Sequence, residues 1–175
     1  MHFQSRSFFS RVFTALLALT LTACQAVSPK PELTGVGMTG IDHLADHLSV
    51  QDYWVDGHAG FQAGKGGRNV CCARVPKVWF PGAQVEVRWE VANWKKGNWR
   101  CYRRMVPLDR FDELGHLYVH FMPDGQVRAL LSNNAPWGNA YPGPRTPIPK
   151  KEPWSVYPRP PVTDDCPENL ETPDE

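Results

Sequence analysis

Gln84-Val85-Glu86-Val87-Arg88-Trp89-Glu90-Val91 decides the fold. Val85, Val87, Trp89 and Val91 fall on one side, and Gln84, Glu86, Arg88 and Glu90 on the other. Successive side chains of a strand point to opposite faces, so this alternation predicts a strand half-buried against a core. His116–Phe121 alternates in the same way, with Leu117, Val119 and Phe121 inward. Met122-Pro123-Asp124-Gly125 supplies turn residues, and Gln126–Ser132 returns with Val127, Ala129 and Leu131 on one side. Lys95-Lys96-Gly97-Asn98 turns the first strand into one near 99–106, and further strands are expected at 36–42, 48–55 and 69–75. Seven short strands at this spacing predict an all-β domain, a small antiparallel sandwich or barrel.

The N-terminus predicts export. Arg6 and Arg11 precede Val12–Leu21, an apolar run of ten residues, and the first acidic residue is Glu32. That length suits a secretory signal and falls short of the roughly 20 residues a membrane span needs. Leu21-Thr22-Ala23-Cys24 resembles the lipobox of bacterial lipoproteins. The resemblance implies a signal peptide over 1–23, cleavage before Cys24, and acyl chains (palmitate among them) on that cysteine. Two or three chains hold a protein on a membrane where one does not. Gln25, standing where an inner-membrane lipoprotein of enterobacteria has Asp, points to the outer membrane, with the domain facing the periplasm. Residues 24–36 then read as lipidated Cys and tether, 37–135 as the β domain, and 136–175 as a Pro-rich acidic tail. Eleven prolines between Pro136 and Pro173 exclude helix and central strand there. A polyproline-like strap and a disordered tail both fit.

Four cysteines remain once Cys24 is set aside: Cys71, Cys72, Cys101 and Cys166. An even count in an oxidising compartment favours disulfides over a metal site. Neighbours on a strand point apart, so one of Cys71 and Cys72 is expected to bond Cys101 in an adjacent strand, and the other to fasten the tail through Cys166.

Nothing in the sequence reads as an enzyme. His43-Leu44-Ala45-Asp46-His47, with His58 beyond it, loosely follows a His-x-x-Glu-His metallopeptidase string but has Asp where the base belongs. It lies between Gly40 and Gly57 and reads as a turn with solvated histidines. Gly60–Gly67 is Gly-rich with Lys65, yet its spacing is one short of a P-loop and no Ser or Thr follows the lysine. These glycines suit a loop with positive φ. No cofactor, metal or small-molecule substrate is expected. The net charge is +1, and −1 once the two arginines of the signal are removed, which argues against nucleic acid as a partner.

Charge is nevertheless uneven. Residues 65–104 hold ten basic and two acidic side chains, while 164–175 hold six acidic and no basic ones. Either these are solvated surfaces, or the tail folds back along the basic face. The tip Asn93–Arg100 mixes Trp94 and Trp99 with Lys95, Lys96 and Arg100, and Arg103 continues the basic character. Aromatic and Arg residues are what protein-interface hot spots favour, though the same mixture could pack into the core or lie against anionic headgroups.

Gly66-Gly67-Arg68-Asn69-Val70-Cys71-Cys72, Val75-Pro76, Trp79, Pro81-Gly82 and Val85-x-Val87-x-Trp89 resemble the signature of a domain of unknown function in small proteobacterial lipoproteins. Leu117-x-Val119-His120-Phe121, Pro123-Asp124-Gly125 and Tyr141-Pro142-Gly143 extend the likeness over roughly 36–145. Members are often encoded beside type VI secretion lipase effectors. The resemblance implies an immunity protein that binds such a phospholipase in the periplasm; the alternative is a structural or assembly lipoprotein of the envelope. The lipobox reading has a direct check: Cys24→Ser abolishes incorporation of labelled palmitate, and continued labelling contradicts it.

Overall fold

A computed structural model describes residues 30–151. The expected signal peptide, Cys24, Cys166 and the tail beyond 151 lie outside the described residues. Eight strands form: β1 (Leu33–Asp42), β2 (Leu48–Val55), β3 (His58–Phe61), β4 (Val70–Pro76), β5 (Gln84–Asn93), β6 (Asn98–Pro107), β7 (His116–Phe121) and β8 (Val127–Ser132). They make two four-stranded sheets, β4-β1-β7-β8 and β3-β2-β5-β6. Every pairing is antiparallel except β1 with β7. The all-β, sandwich-like expectation holds.

The alternating residues face inward as their period requires. Val85, Val87, Trp89 and Val91 are buried, as are Leu117, Val119, Phe121, Val127, Ala129 and Leu131. At the centre the Tyr53 ring meets Phe121 edge-on at 5.7 Å, and Trp89 stacks on Tyr102 at 5.5 Å. Two glycines make room for Tyr53: a Cβ on Gly60 would stand 2.0 Å from its Cζ, and one on Gly40 2.6 Å from its Cε1.

The structure departs from the sequence expectations at four places. First, β3 is an eighth strand. Its signal was Asp56-Gly57, whose φ values of 45° and 79° make the two-residue hairpin turn that an Asp-Gly pair favours. Second, β1 starts at Leu33, inside the stretch read as tether.

Third, the strand geometry behind the expected cysteine pairing differs. The β1–β4 register runs from Val36↔Ala73 to Gly37↔Cys71, so Cys72 is the extra residue of a bulge. A bulge breaks the pleat, so strand alternation does not decide which way the side chains of Cys71 and Cys72 point. Cys101 is on β6, next to β5 at the far edge of the second sheet, whereas β4 edges the first. Neither adjacent cysteine therefore meets Cys101.

Fourth, the first sheet is covered on its outer face as well. Residues 136–151 carry no regular structure, yet Tyr141 is buried with Ile41, Tyr118 and Leu130, and Ile148 packs against that cluster. This part of the Pro-rich segment is a strap. One guanidinium nitrogen of Arg145 donates to the carbonyls of Gly138, Asn139 and Tyr141, at 3.0, 2.8 and 3.1 Å, and holds its turn.

Gly60→Ala must push the Tyr53 ring out of the core, and such overpacking costs about 1–3 kcal/mol. Its urea midpoint falls accordingly, while Gly64→Ala, with open space around the new methyl, stays within about 0.5 kcal/mol of the parent.

Candidate functional site

Two features gather at one end of the sandwich, where β1 ends, β2 begins and β5 turns into β6. Leu48↔Asn93 pairing and the short 43–47 connection place them together.

The first is the hairpin tip. Asn93 accepts from the Lys96 amide through its side chain (3.0 Å) and from the Gly97 amide through its carbonyl (2.8 Å), and Gly97 has φ 62°. The turn presents Lys95, Lys96 and Arg100 on the surface. Trp94 is not part of that surface. It is 7% exposed, its indole N–H donates to Ser49 Oγ (2.7 Å), and its amide donates to the His47 carbonyl (2.8 Å). Trp94 thus pins the hairpin to the β1–β2 turn. Trp99 packs edge-on against it at 5.7 Å and is half-buried. Arg103 lies down the strand opposite Arg88, whose guanidinium sits 4.9 Å over the Trp54 ring. The sequence-predicted partner residues therefore split: Lys95, Lys96 and Arg100 face outward, Trp94 belongs to the core, and Trp99 and Arg103 are partly covered.

The second feature is a buried polar cluster beneath the strap. Asp42↔Phe121 pairing ends the parallel β1–β7 ladder, and the His43 amide donates to the Phe121 carbonyl at 2.9 Å. His43 and His120 are thereby brought together, 2% and 1% exposed, with rings stacked at 5.2 Å. Their hydrogen bonds have one consistent direction. The Pro147 carbonyl, 3.5 Å from His43 Nδ1, can only accept, so that nitrogen carries the proton. His43 Nε2 then accepts from His120 Nδ1 at 2.8 Å, and His120 Nε2 accepts from the Tyr141 hydroxyl. Both imidazoles are neutral in this chain. Burial, then the neighbouring His43 and Arg128, pushes His120 down to about 3, and burial also lowers His43.

Beside this chain, buried Asp42 accepts from Lys151 Nζ (3.0 Å), which also donates to the Leu44 carbonyl (2.8 Å). Burial raises the Asp42 carboxyl despite Lys151, and burial lowers the Lys151 ammonium despite Asp42. The carboxylate further accepts from the amides of Leu44 and Val50, at 2.9 and 3.0 Å, and so shapes the β1–β2 turn. Next to the strap's end is a cavity of about 250 Å³, bordered by Gln62, Lys65, Ile148 and Lys150.

Of the histidines weighed as ligands, His43 is buried in the chain just described, correcting its expected solvation. His47 Nδ1 pairs with Asp46 (3.1 Å), and His58 sits exposed at the β2–β3 turn. The three are not brought together, and no group of three His, Cys, Asp or Glu is placed to hold a metal ion among the described residues. Sequence reading missed His120, Tyr141 and Lys151. The available signal was Tyr118 and His120 on the face of β7 assigned to solvent: two large rings there mark a face that something covers.

The family of proteins of unknown function designated DUF3304 matches residues 42–129, half of the chain, and the chain belongs to it. The match takes in Asp42, His43, His120 and the whole hairpin tip, and leaves the strap outside. No curated protein and no solved structure matches.

The two neutral histidines set a pH dependence. An ordinary His takes up its proton near 6.5. Below that value the unfolded chain binds protons that the folded chain refuses, so stability falls with falling pH. The loss approaches about 1.4 kcal/mol per pH unit for each histidine still neutral in the fold. Asp42, raised by burial, works the opposite way between its ordinary and its raised value. Urea unfolding at pH 7.5, 6.5, 5.5 and 5.0 reads this out, and a flat profile contradicts the neutral His43–His120 chain.

Proposed function

We propose that this DUF3304 protein is a lipid-anchored, periplasm-facing binding protein that neutralises a type VI-secreted phospholipase by occluding it. The reading joins the lipobox at Cys24 and the likeness of its Val-Cys-Cys…Pro-Gly…Val-x-Trp segment to lipoproteins encoded beside such effectors. One observation carries it at the level of geometry. Lys95, Lys96 and Arg100 stand on a hairpin braced by buried Trp94, at the end of the sandwich opposite the start of β1. A chain anchored through Cys24 presents that end away from the membrane, toward an incoming effector. A basic rim on a rigid turn favours an acidic partner surface and acts mainly on the rate of association.

The test is the phospholipase activity of the effector encoded beside this gene, titrated with the mature protein. Activity is lost at about one protein per enzyme, on the expectation of direct occlusion. Lys95→Glu with Lys96→Glu slows association about tenfold or more at low salt, and less at high salt. Full enzyme activity with no complex formed rejects immunity and favours the structural-lipoprotein alternative.

A further inference from the structure

The opposite end of the sandwich has its own chemistry. There β1 begins, β4 ends, β5 begins and β6 ends: Leu33 pairs with Pro76, Gln84 with Pro107. The loop 77–83 between β4 and β5 caps this end. It is tied down on every side. The Lys77 amide donates to the Glu32 carbonyl at 2.9 Å, and the Lys77 ammonium pairs with the Glu32 carboxylate. The Trp79 indole donates to the Leu108 carbonyl at 3.1 Å, and the Ala83 amide to the Phe80 carbonyl at 3.0 Å. Gly82, at φ 91°, closes the turn.

Held this way, the loop keeps Trp79 half-buried while its two neighbours project. Val78 is 77% exposed, more than any other large apolar side chain among the described residues, and Phe80 is 38% exposed. Leu33, at the first position of β1, is 39% exposed. Single exposed apolar residues are ordinary on a protein surface. Here a pre-ordered loop presents two of them at the end where the chain enters the fold. Leu33 stands nine positions beyond Cys24, and an extended chain reaches about 3.3–3.6 Å per residue, roughly 30 Å in all. An acyl anchor on Cys24 therefore tethers this end within that reach of the bilayer.

We propose that Val78 and Phe80, with Leu33 beside them, rest in the interfacial layer of the anchoring membrane and orient the domain upright on it. The occupant of this apolar patch is lipid. Two cations of this end are already paired, Lys77 with Glu32 and Arg110 Nε with Asp112 at 3.6 Å, and the loop itself offers the membrane apolar side chains. Contact is apolar and insensitive to salt. The rigid loop loses little conformational freedom on insertion, and the distal hairpin is then aimed into the periplasm. The inference rests on acylation of Cys24, which the proposed function shares.

The experiment uses the full chain expressed in cells and labelled with alkyne-palmitate. A photoreactive p-benzoylphenylalanine replaces Val78 in one sample and Lys95, on the distal tip, in another. The expected result is palmitate label in both, and severalfold more lipid adduct from position 78 than from 95, unchanged when membranes are irradiated in 0.5 M salt. Label without excess lipid adduct at 78 overturns the docking and leaves the anchor standing. A protein adduct at 78 in place of lipid overturns it also, and assigns the loop to a partner. Absence of label overturns the anchor and the docking together. Val78→Asp with Phe80→Asp serves as a second measure: palmitate incorporation stays, while protease cleavage within the 77–83 loop on membranes rises to the level of the acyl-free Cys24→Ser chain.

Discussion

The parallel pairing of β1 with β7 is the constraint on which the rest depends. It joins segments nearly 80 positions apart and sets Asp42 beside Phe121, so that His43 and His120 leave their strands at the same place. β1 also carries β4, and β7 carries β8, so this one ladder holds the first sheet together. Leading straight into β2 through the 43–47 turn, β1 ties that sheet to the second one. Asp42 works at this junction, taking the amides of Leu44 and Val50 on one side and Lys151 on the other.

A sheet in a simple antiparallel sandwich has one dry face and one wet face. The first sheet here does not. The strap lays Tyr141 and Ile148 over Ile41, Tyr118 and Leu130, and the groups trapped beneath it must find partners there. The chain from Tyr141 through His120 and His43 to the Pro147 carbonyl satisfies them without any charge. Unpaired buried charge is expensive, and a neutral chain with every proton assigned avoids it. The same economy makes the arrangement sensitive to acid, because both imidazoles have given up the solvation that would let them protonate.

The two ends of the domain differ in character. The tip near β5–β6 is basic, polar and braced by a buried tryptophan, whereas the loop between β4 and β5 is apolar and tied to the start of β1. The proposed lipid-anchored binding role would use such a polarity, since whichever end meets a membrane is lost to any other partner. Membership in DUF3304 does not by itself assign an activity, and the proposed division of labour between the ends rests on their physical chemistry.

The local patterns were legible because they repeat at short range. Period-two alternation placed β5, β7 and β8 and their inward residues, and Lys-Gly-Asn and Pro-Asp-Gly marked the turns, since each signal needs only neighbours on the chain. The outward residues Lys95, Lys96 and Arg100 of the candidate site could be read on the same basis. What lay beyond the sequence depended on which distant segments meet. Trp94 turned inward because the β1–β2 turn lay beneath it with Ser49 ready to accept its indole proton. Neither Cys71 nor Cys72 meets Cys101, because β4 and β6 edge different sheets on opposite sides. His120 and Tyr141 found each other because a proline-rich strap returned over a face that alternation alone assigns to water. Periodicity states which side of a strand is apolar; only the tertiary structure decides what comes to lie on the other side.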